Sequence, residues 1–268
     1  KKEDTAMLPN REELLERVSE AVRRAGALFG DRELAEQIRQ KGVTDFVTQV
    51  DLTVQEQLRG ALRTIAPEVQ FMGEEQDNSG LDFGGAVWIL DPVDGTMNLI
   101  HGFRHSAVSL ALAEGGEVTM ALVYDPFADE LFTALAGRGA FCNGRSISVS
   151  GAERLADALV DVGTNPSERE KADRMFRWMR GIYDRCHDVR RMGAAPLCLA
   201  YVAAGRLDAY VEDGLKPWDY AAGMLLVREA GGMAATPEGA EPSLEHGGGI
   251  AAANRRIGPD FLELLSEA

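Results

Sequence analysis

The run Trp88-Ile89-Leu90-Asp91-Pro92-Val93-Asp94-Gly95-Thr96-Met97-Asn98 constrains this chain more than any other stretch. An apolar, strand-like segment delivers two carboxylates three residues apart and then breaks at Gly-Thr. Pro92 fixes its own φ and biases Asp91 toward extended backbone, so Asp91 and Asp94 can converge without either sitting in a regular helix. Gly95 lets the chain turn, and the amides beyond it can face an anion if a helix starts there. Carboxylates beside exposed amides suit metal-assisted phosphate chemistry, with oxygen ligands for Mg²⁺ and donors for phosphoryl oxygens. Taken alone, the same run also fits a capped strand-to-helix turn, because Asp-rich turns are common.

Two further acidic clusters bear on that choice. Phe71-Met72-Gly73-Glu74-Glu75 ends a short apolar run with a glycine and paired acids. Gly214-Leu215-Lys216-Pro217-Trp218-Asp219-Tyr220-Ala221-Ala222-Gly223 places an aspartate after Pro-Trp, opening a small-residue helix. Separately, Glu74-Glu75 reads as a solvated loop and Asp219 as a helix N-cap. In this order and with these flanks, the three clusters resemble the signatures of the inositol monophosphatase family, within the Mg²⁺-dependent, lithium-sensitive sugar-phosphatase superfamily. Those signatures are G-E-E, then W-I-[IL]-D-P-[IVL]-D-G-T-x-N-F, then W-D-x-A-A-G. Leu99 stands here where Phe is usual. The resemblance spans nearly the whole chain. Lys41 to Asp51 matches K-x-x-x-D-x-V-T-x-x-D, and His101 to Ser109 is similar to H-x-F-P-x-x-A-V-S with Arg104 at the proline. Residues 139–144 and 250–254 fit as well.

The resemblance implies a layered αβαβα sandwich, an α/β (α+β) fold of the inositol monophosphatase and fructose-bisphosphatase type, with metals at the junction of two halves. It implies that Glu74, Asp91 and the Val93 carbonyl hold a first Mg²⁺ and that Asp91, Asp94 and Asp219 hold a second. A third, weaker ion would sit near Glu74 and Glu75. Glu74 and the Thr96 hydroxyl would hold the attacking water, with Thr96 oriented by Asp51. The Gly95 and Thr96 amides would contact the phosphate. On the substrate side, Met192-Gly193-Ala194-Ala195 matches a G-[TS]-A segment whose usual hydroxyl is missing at Ala194, and Glu212 matches an acid that accepts a substrate hydroxyl. Asp94 and Asp219 would border the same substrate. His101 and His105 read as scaffold, since hard-metal sites rarely recruit imidazole. Arg190 and Arg191 read as structural, and Lys216 as a solvated cation beside the cleft. Homodimers are usual in the family.

Residue patterns give the organisation. Helical periodicity predicts helices over residues 11–29 and 51–65, with Asp51 at the N-terminus of the second, where free amides favour a carboxylate. Short strands should end at Met72 and Leu90. Between residues 107 and 149, apolar runs alternate with Gly115-Gly116, Asp125-Pro126, Gly137-Arg138-Gly139 and Asn143-Gly144, which predicts an antiparallel meander with its sharpest hairpin at Asn143-Gly144. Beyond Ser150 the pattern changes to strands at 158–162, 189–191, 209–212 and 250–253, and helices at 168–183, 195–204, 219–230 and 259–266. This divides the chain into an N-terminal half, residues 7–150, and a C-terminal half, residues 151–268, that completes the cleft. Lys1 to Ala6 are expected to be non-native residues ahead of a start at Met7.

With 268 residues, the chain can bury a substantial core. Its net charge of −15 argues against nucleic-acid and anionic-membrane partners. Three scattered cysteines without C-x-x-C spacing indicate neither a disulfide framework nor a zinc site. No membrane-length apolar run or secretory leader is evident, so a cytoplasmic location is expected. The expected activity is hydrolysis of a phosphomonoester, inositol 1-phosphate foremost. Fructose 1,6-bisphosphate and histidinol phosphate remain alternatives within the superfamily. A haloacid-dehalogenase phosphatase also ends its signature in D-G-T, but its two aspartates are two residues apart rather than three. The related nucleotidases read D-G-T-K-E-F, from which Met97-Asn98 departs. A non-catalytic binding protein should have lost a ligand, and none of the matched positions has.

Overall fold

The computed structural model describes residues 10–42 and 46–267. Met7, the expected start, and Val43, Thr44 and Asp45 of the Lys41–Asp51 motif lie outside the described residues. In chain order the elements are α1 (Arg11–Gly26), α2 (Arg32–Ala35), β1 (Ile38–Gln40), β2 (Phe46–Thr48), α3 (Gln49–Ile65), β3 (Gln70–Gly73), β4 (Ala86–Asp94) and α4 (Thr96–Ile100). The meander follows as β5 (Ala107–Glu114), β6 (Glu117–Asp125), β7 (Glu130–Leu135), β8 (Ala140–Cys142) and β9 (Arg145–Ile147). Then come β10 (Leu159–Val162), α5 (Ala172–Arg185), β11 (Asp188–Arg190), α6 (Ala195–Ala203), β12 (Ala209–Leu215), α7 (Pro217–Glu229), β13 (Gly232–Ala235), β14 (Gly248–Asn254) and α8 (Gly258–Glu267).

Strands β3 to β9 form one seven-stranded sheet in sequence order, with β3 parallel to β4 and the remaining pairs antiparallel. The meander is as expected. Asn143 (φ 48°) and Gly144 (φ 75°) make the β8–β9 turn, two positive-φ residues in succession as a type I′ hairpin requires. The second sheet, ordered β11-β10-β12-β14-β13, mixes parallel and antiparallel pairs.

Strand alternation builds the layers. Along β4, Trp88 and Leu90 enter a core shared with Leu14, Val18, Val54 and Leu58 of α1 and α3, while Val87 and Ile89 enter the opposite core with Leu197 of α6 and Leu226 of α7. The second sheet repeats this. Tyr210 of β12 faces α6 and α7, whereas Val211 and Val160 pack against Trp178 of α5 and Phe261 of α8. Five layers result, αβαβα, in agreement with the expected sandwich.

Local differences have local causes. Helix α5 begins at Ala172, after a 3-10 turn over Arg169–Lys171, not at residue 168. Strand β13 has no strand signal in the sequence, because Gly232-Met233-Ala234-Ala235 carries no β-branched residue. Helix α3 starts at Gln49 with Thr48 as N-cap, and α7 starts at Pro217, so Asp51 and Asp219 lie inside the first turn and neither is the cap.

Candidate active site

The β4 end explains how two carboxylates three residues apart share one site. In a regular strand they would face opposite sides of the sheet. The β4–β5 register pairs Asp91 with Ser109 and Asp94 with Ala107, so Pro92 and Val93 together oppose a single residue of β5. This bulge at Pro92, which has no amide proton to lose from the ladder, swings both carboxylates to one side. The Val93 amide donates to Asp91 Oδ1 at 2.9 Å and fixes that rotamer. Gly95 (φ +83°) then turns the chain into α4, and a Cβ there would lie 2.9 Å from the His105 carbonyl, so no other residue fits.

Two more acids arrive from helix starts. Asp219, in the first turn of α7, accepts the Lys216 amide through Oδ2 at 2.7 Å. Asp51, likewise in the first turn of α3, accepts the Thr48 amide at 2.8 Å and the Thr48 hydroxyl, both through Oδ2. Each carboxylate is thereby anchored by its own backbone. Thr96 Oγ1 lies 3.0 Å from Asp51 Oδ1 and 3.0 Å from the Val93 carbonyl oxygen, its proton available to either.

Asp91, Asp94 and Asp219 offer oxygens that all lie within 4.8 Å of one another. Glu74 lines the same cleft from the turn after β3, and its charge helps to raise Asp91. Its Oε1 accepts from Lys41 Nζ at 3.0 Å, and Glu75 Oε1 accepts from the same ammonium at 2.6 Å. Lys41 thus sits where a third cation was expected. Gly95, Thr96, Gly193, Ala195 and Glu212 border the same cleft, of about 260 Å³. Ala194 does not. It is buried, with its methyl packed toward Gly95. Lys216 lines a neighbouring cavity with Met72, Trp218 and His246. Arg191 reaches the cleft rim, donating to Thr164 Oγ1 through Nε at 3.0 Å and Nη2 at 2.6 Å, while Arg190 pairs with Asp188 outside the cleft. His105 is buried as scaffold, its ring edge-on to Tyr201.

The electrostatics call for a cation. Burial, then the neighbouring acids, push Asp91 and Asp94 well above the usual carboxylate range, although the Ala195 amide opposes the rise at Asp94. Burial lifts Glu74 to about 8, against the pull of Lys41, and Asp219 to about 6. Asp94 Oδ1 is sealed from solvent with no hydrogen-bond donor. A cluster of hard oxygens with one orphaned acceptor and no sulfur or imidazole fits Mg²⁺.

Sequence reasoning missed Thr48, Asn98 and Thr164. Asn98 Nδ2 donates to the carbonyls of His105 (2.7 Å) and Met192 (2.9 Å), joining the α4–β5 loop to the β11–α6 loop. The T-x-x-D spacing of Thr48 and Asp51 is a capping-box signal that could have exposed the first. The cross-chain partners Met192 of Asn98 and Arg191 of Thr164 are distant in sequence and left none.

Comparison with known proteins gives one answer. A sequence model described as "Inositol monophosphatase family" matches residues 8–268. An inositol-1-monophosphatase of Rhizobium meliloti is 40% identical over 260 residues, covering 95% of this chain and 97% of that protein. A protein named Nus factor SuhB of Pseudomonas aeruginosa is 42% identical over 217 residues, 78% of this chain and 79% of its own length. Among solved structures, the extragenic suppressor protein suhB of Bartonella henselae superimposes with a TM-score of 0.88 at 34% identity, covering 96% of this chain and 99% of that one.

Proposed function

The chain belongs to the inositol monophosphatase family and is a phosphoric monoester hydrolase, and from that premise we propose that it hydrolyses inositol 1-phosphate with Mg²⁺ by direct attack of water. The observation that carries this reading is the trio Asp91, Asp94 and Asp219 within 4.8 Å. Asp91 would bridge two ions, the first shared with Glu74 and the Val93 carbonyl and the second with Asp94 and Asp219. When bound, these ions neutralise phosphoryl oxygens and lower the pKa of the attacking water.

The protein's own groups do the rest. Thr96 can accept a hydrogen bond from water while donating to Asp51, whose Oδ2 is committed to Thr48 and whose Oδ1 is left for this task. Glu74 holds the other side of that water. Gly95 and Thr96 border the phosphate, and Gly193 and Ala195 the ring, with Asp94 and Asp219 beside it. Ala194 contributes packing alone. Glu212 accepts a ring hydroxyl. A third ion at Glu74 and Glu75 would have to displace Lys41. We further propose residues 7–150 and 151–268 as the two halves of the cleft, a homodimer, and a cytoplasmic location. Among the described residues, no helix is long and apolar enough to cross a membrane.

Glu212 favours inositol 1-phosphate over fructose 1,6-bisphosphate, because a carboxylate accepts a hydroxyl and repels a second phosphate. Two like charges in a poorly screened cleft cost on the order of a kcal/mol, roughly tenfold in preference. Burial raises Glu212 to about 8, with Tyr210 and Arg191 opposing, so the assay belongs above about pH 8, where the group is charged. Wild type should show the higher kcat/KM on inositol 1-phosphate, and Glu212→Gln should narrow the gap. Preference for the bisphosphate, unaltered by the substitution, would place the chain with the bisphosphatases.

A further inference from the structure

Tyr210 and Glu212 are two residues apart on β12 and project from the same face of the sheet, toward α6. Tyr210 is fully buried, and its phenol donates to Glu212 Oε2. Gly163 approaches the same oxygen closely. A Cβ built on Gly163 would lie 2.0 Å from Glu212 Oε2. The Gly163 amide donates to the Val211 carbonyl at 2.8 Å, extending the β10–β12 pairing, so the sheet itself fixes this close approach. Oε2 is therefore held between a phenol and a main chain that has no room for a side chain while the carboxylate stands there. The other oxygen, Oε1, takes no hydrogen bond from the described residues and is not sealed in the interior, while Glu212 lines the cleft.

A neighbouring carboxylate could compete for the phenol. Asp161 is the register partner of Tyr210 on β10 and is completely buried. It is engaged elsewhere, accepting from the Met192 amide at 3.0 Å through Oδ2 and from Cys198 Sγ at 3.5 Å through Oδ1. The phenol is left to Glu212.

We propose that Tyr210 is a positioning residue which, with Gly163 as its backstop, locks Glu212 so that Oε1 faces the cleft and selects phosphomonoesters whose alcohol portion bears a free hydroxyl. This rests on the reading of Glu212 as a hydroxyl acceptor given above. A glutamate left to rotate would have to be ordered by each substrate, and preorganisation removes that cost. The selection applies only to substrates that possess the hydroxyl.

The test compares kcat/KM for inositol 1-phosphate with that for p-nitrophenyl phosphate, which has no hydroxyl, in wild type, Tyr210→Phe, Gly163→Ala and Glu212→Gln. Tyr210→Phe should lower the ratio about fivefold to tenfold, the worth of one ordinary hydrogen bond, with most of the change in KM for inositol 1-phosphate. Gly163→Ala should do the same by displacing the carboxylate. Its backbone is in a region open to alanine, so it decides the matter if Tyr210→Phe does not fold. An unchanged ratio in both folded variants, or an equal fall for both substrates, overturns the proposal while Glu212→Gln still lowers the ratio. If Glu212→Gln leaves the ratio unaltered, the hydroxyl-acceptor reading itself fails, and this proposal with it.

Discussion

Thr96 and Asp51, 45 residues apart in the chain, meet at 3.0 Å between Oγ1 and Oδ1. The contact joins the first turn of α3 to the turn that leaves β4. Asp51 can serve it because the Thr48 amide and hydroxyl saturate its other oxygen. Removing the hydroxyl should therefore cost kcat and spare metal affinity. We expect Thr96→Ala to lower kcat about a hundredfold, in the range of general-base loss, and Thr96→Ser to recover most of it. Steady-state kinetics beside calorimetric Mg²⁺ titration will check this. A near-normal kcat in Thr96→Ala would remove Thr96 from the chemistry.

Asp91 is 2% exposed and lies between Asp94, Asp219 and Glu74 in the electrostatics of the cleft. As the proposed bridging ligand it should be the least replaceable of the four. Asp91→Asn is expected to abolish measurable turnover, and wild type should lose activity in excess chelator and regain it with Mg²⁺. Full phosphatase activity under either condition would contradict the assignment.

Direct attack by water predicts the fate of an isotope. Hydrolysis in ¹⁸O-water should place the label in released phosphate from the first turnover. The Val93 amide fixes the Asp91 rotamer, as expected of a ligand held in place. A phosphorylated Asp91 or Asp94 trapped in mass spectrometry would defeat the mechanism.

Without metal, the folded protein holds protons that the unfolded chain releases. Glu74 is raised by burial from 4.5 to about 8 and Asp219 from 3.8 to about 6. Their contribution to stability is complete below the unfolded values and is lost as pH rises through the folded ones, because the folded state binds more protons in that window. The Tm of metal-free protein should thus fall, relative to the Mg²⁺-saturated form, between about pH 4 and about pH 8. A Tm gap that stays constant across that range would show that these carboxylates are not buried together.

Much of this protein could be read from its residues. The apolar periods of α1 and α3, the Asn143-Gly144 hairpin and the three acidic clusters are local patterns, set by neighbours within a few positions. Side-chain alternation, turn chemistry and helix period act over that range, so one dimension suffices to express them. The identity of the site residues came from matching whole segments to a family, not from periodicity.

Only the tertiary structure decided where those residues point. Spacing alone would set Asp91 and Asp94 on opposite faces, and the two-for-one register of β4 against β5 brings them together. Asp51 and Asp219 read as helix-end carboxylates, yet each proves to be an interior first-turn residue with one oxygen tied to its own backbone. Ala194 lies in a substrate-side motif and is buried behind Gly95, while Lys41 lies in a loop motif and sits between Glu74 and Glu75. The convergence of Asp91 and Asp94 and the places of Ala194 and Lys41 depend on strand register or on contact between segments far apart in the chain, whereas the anchors of Asp51 and Asp219 are local to their helix starts. A sequence records which groups are available, but their convergence is fixed by sheet pairing and packing across the layers, which no local pattern encodes.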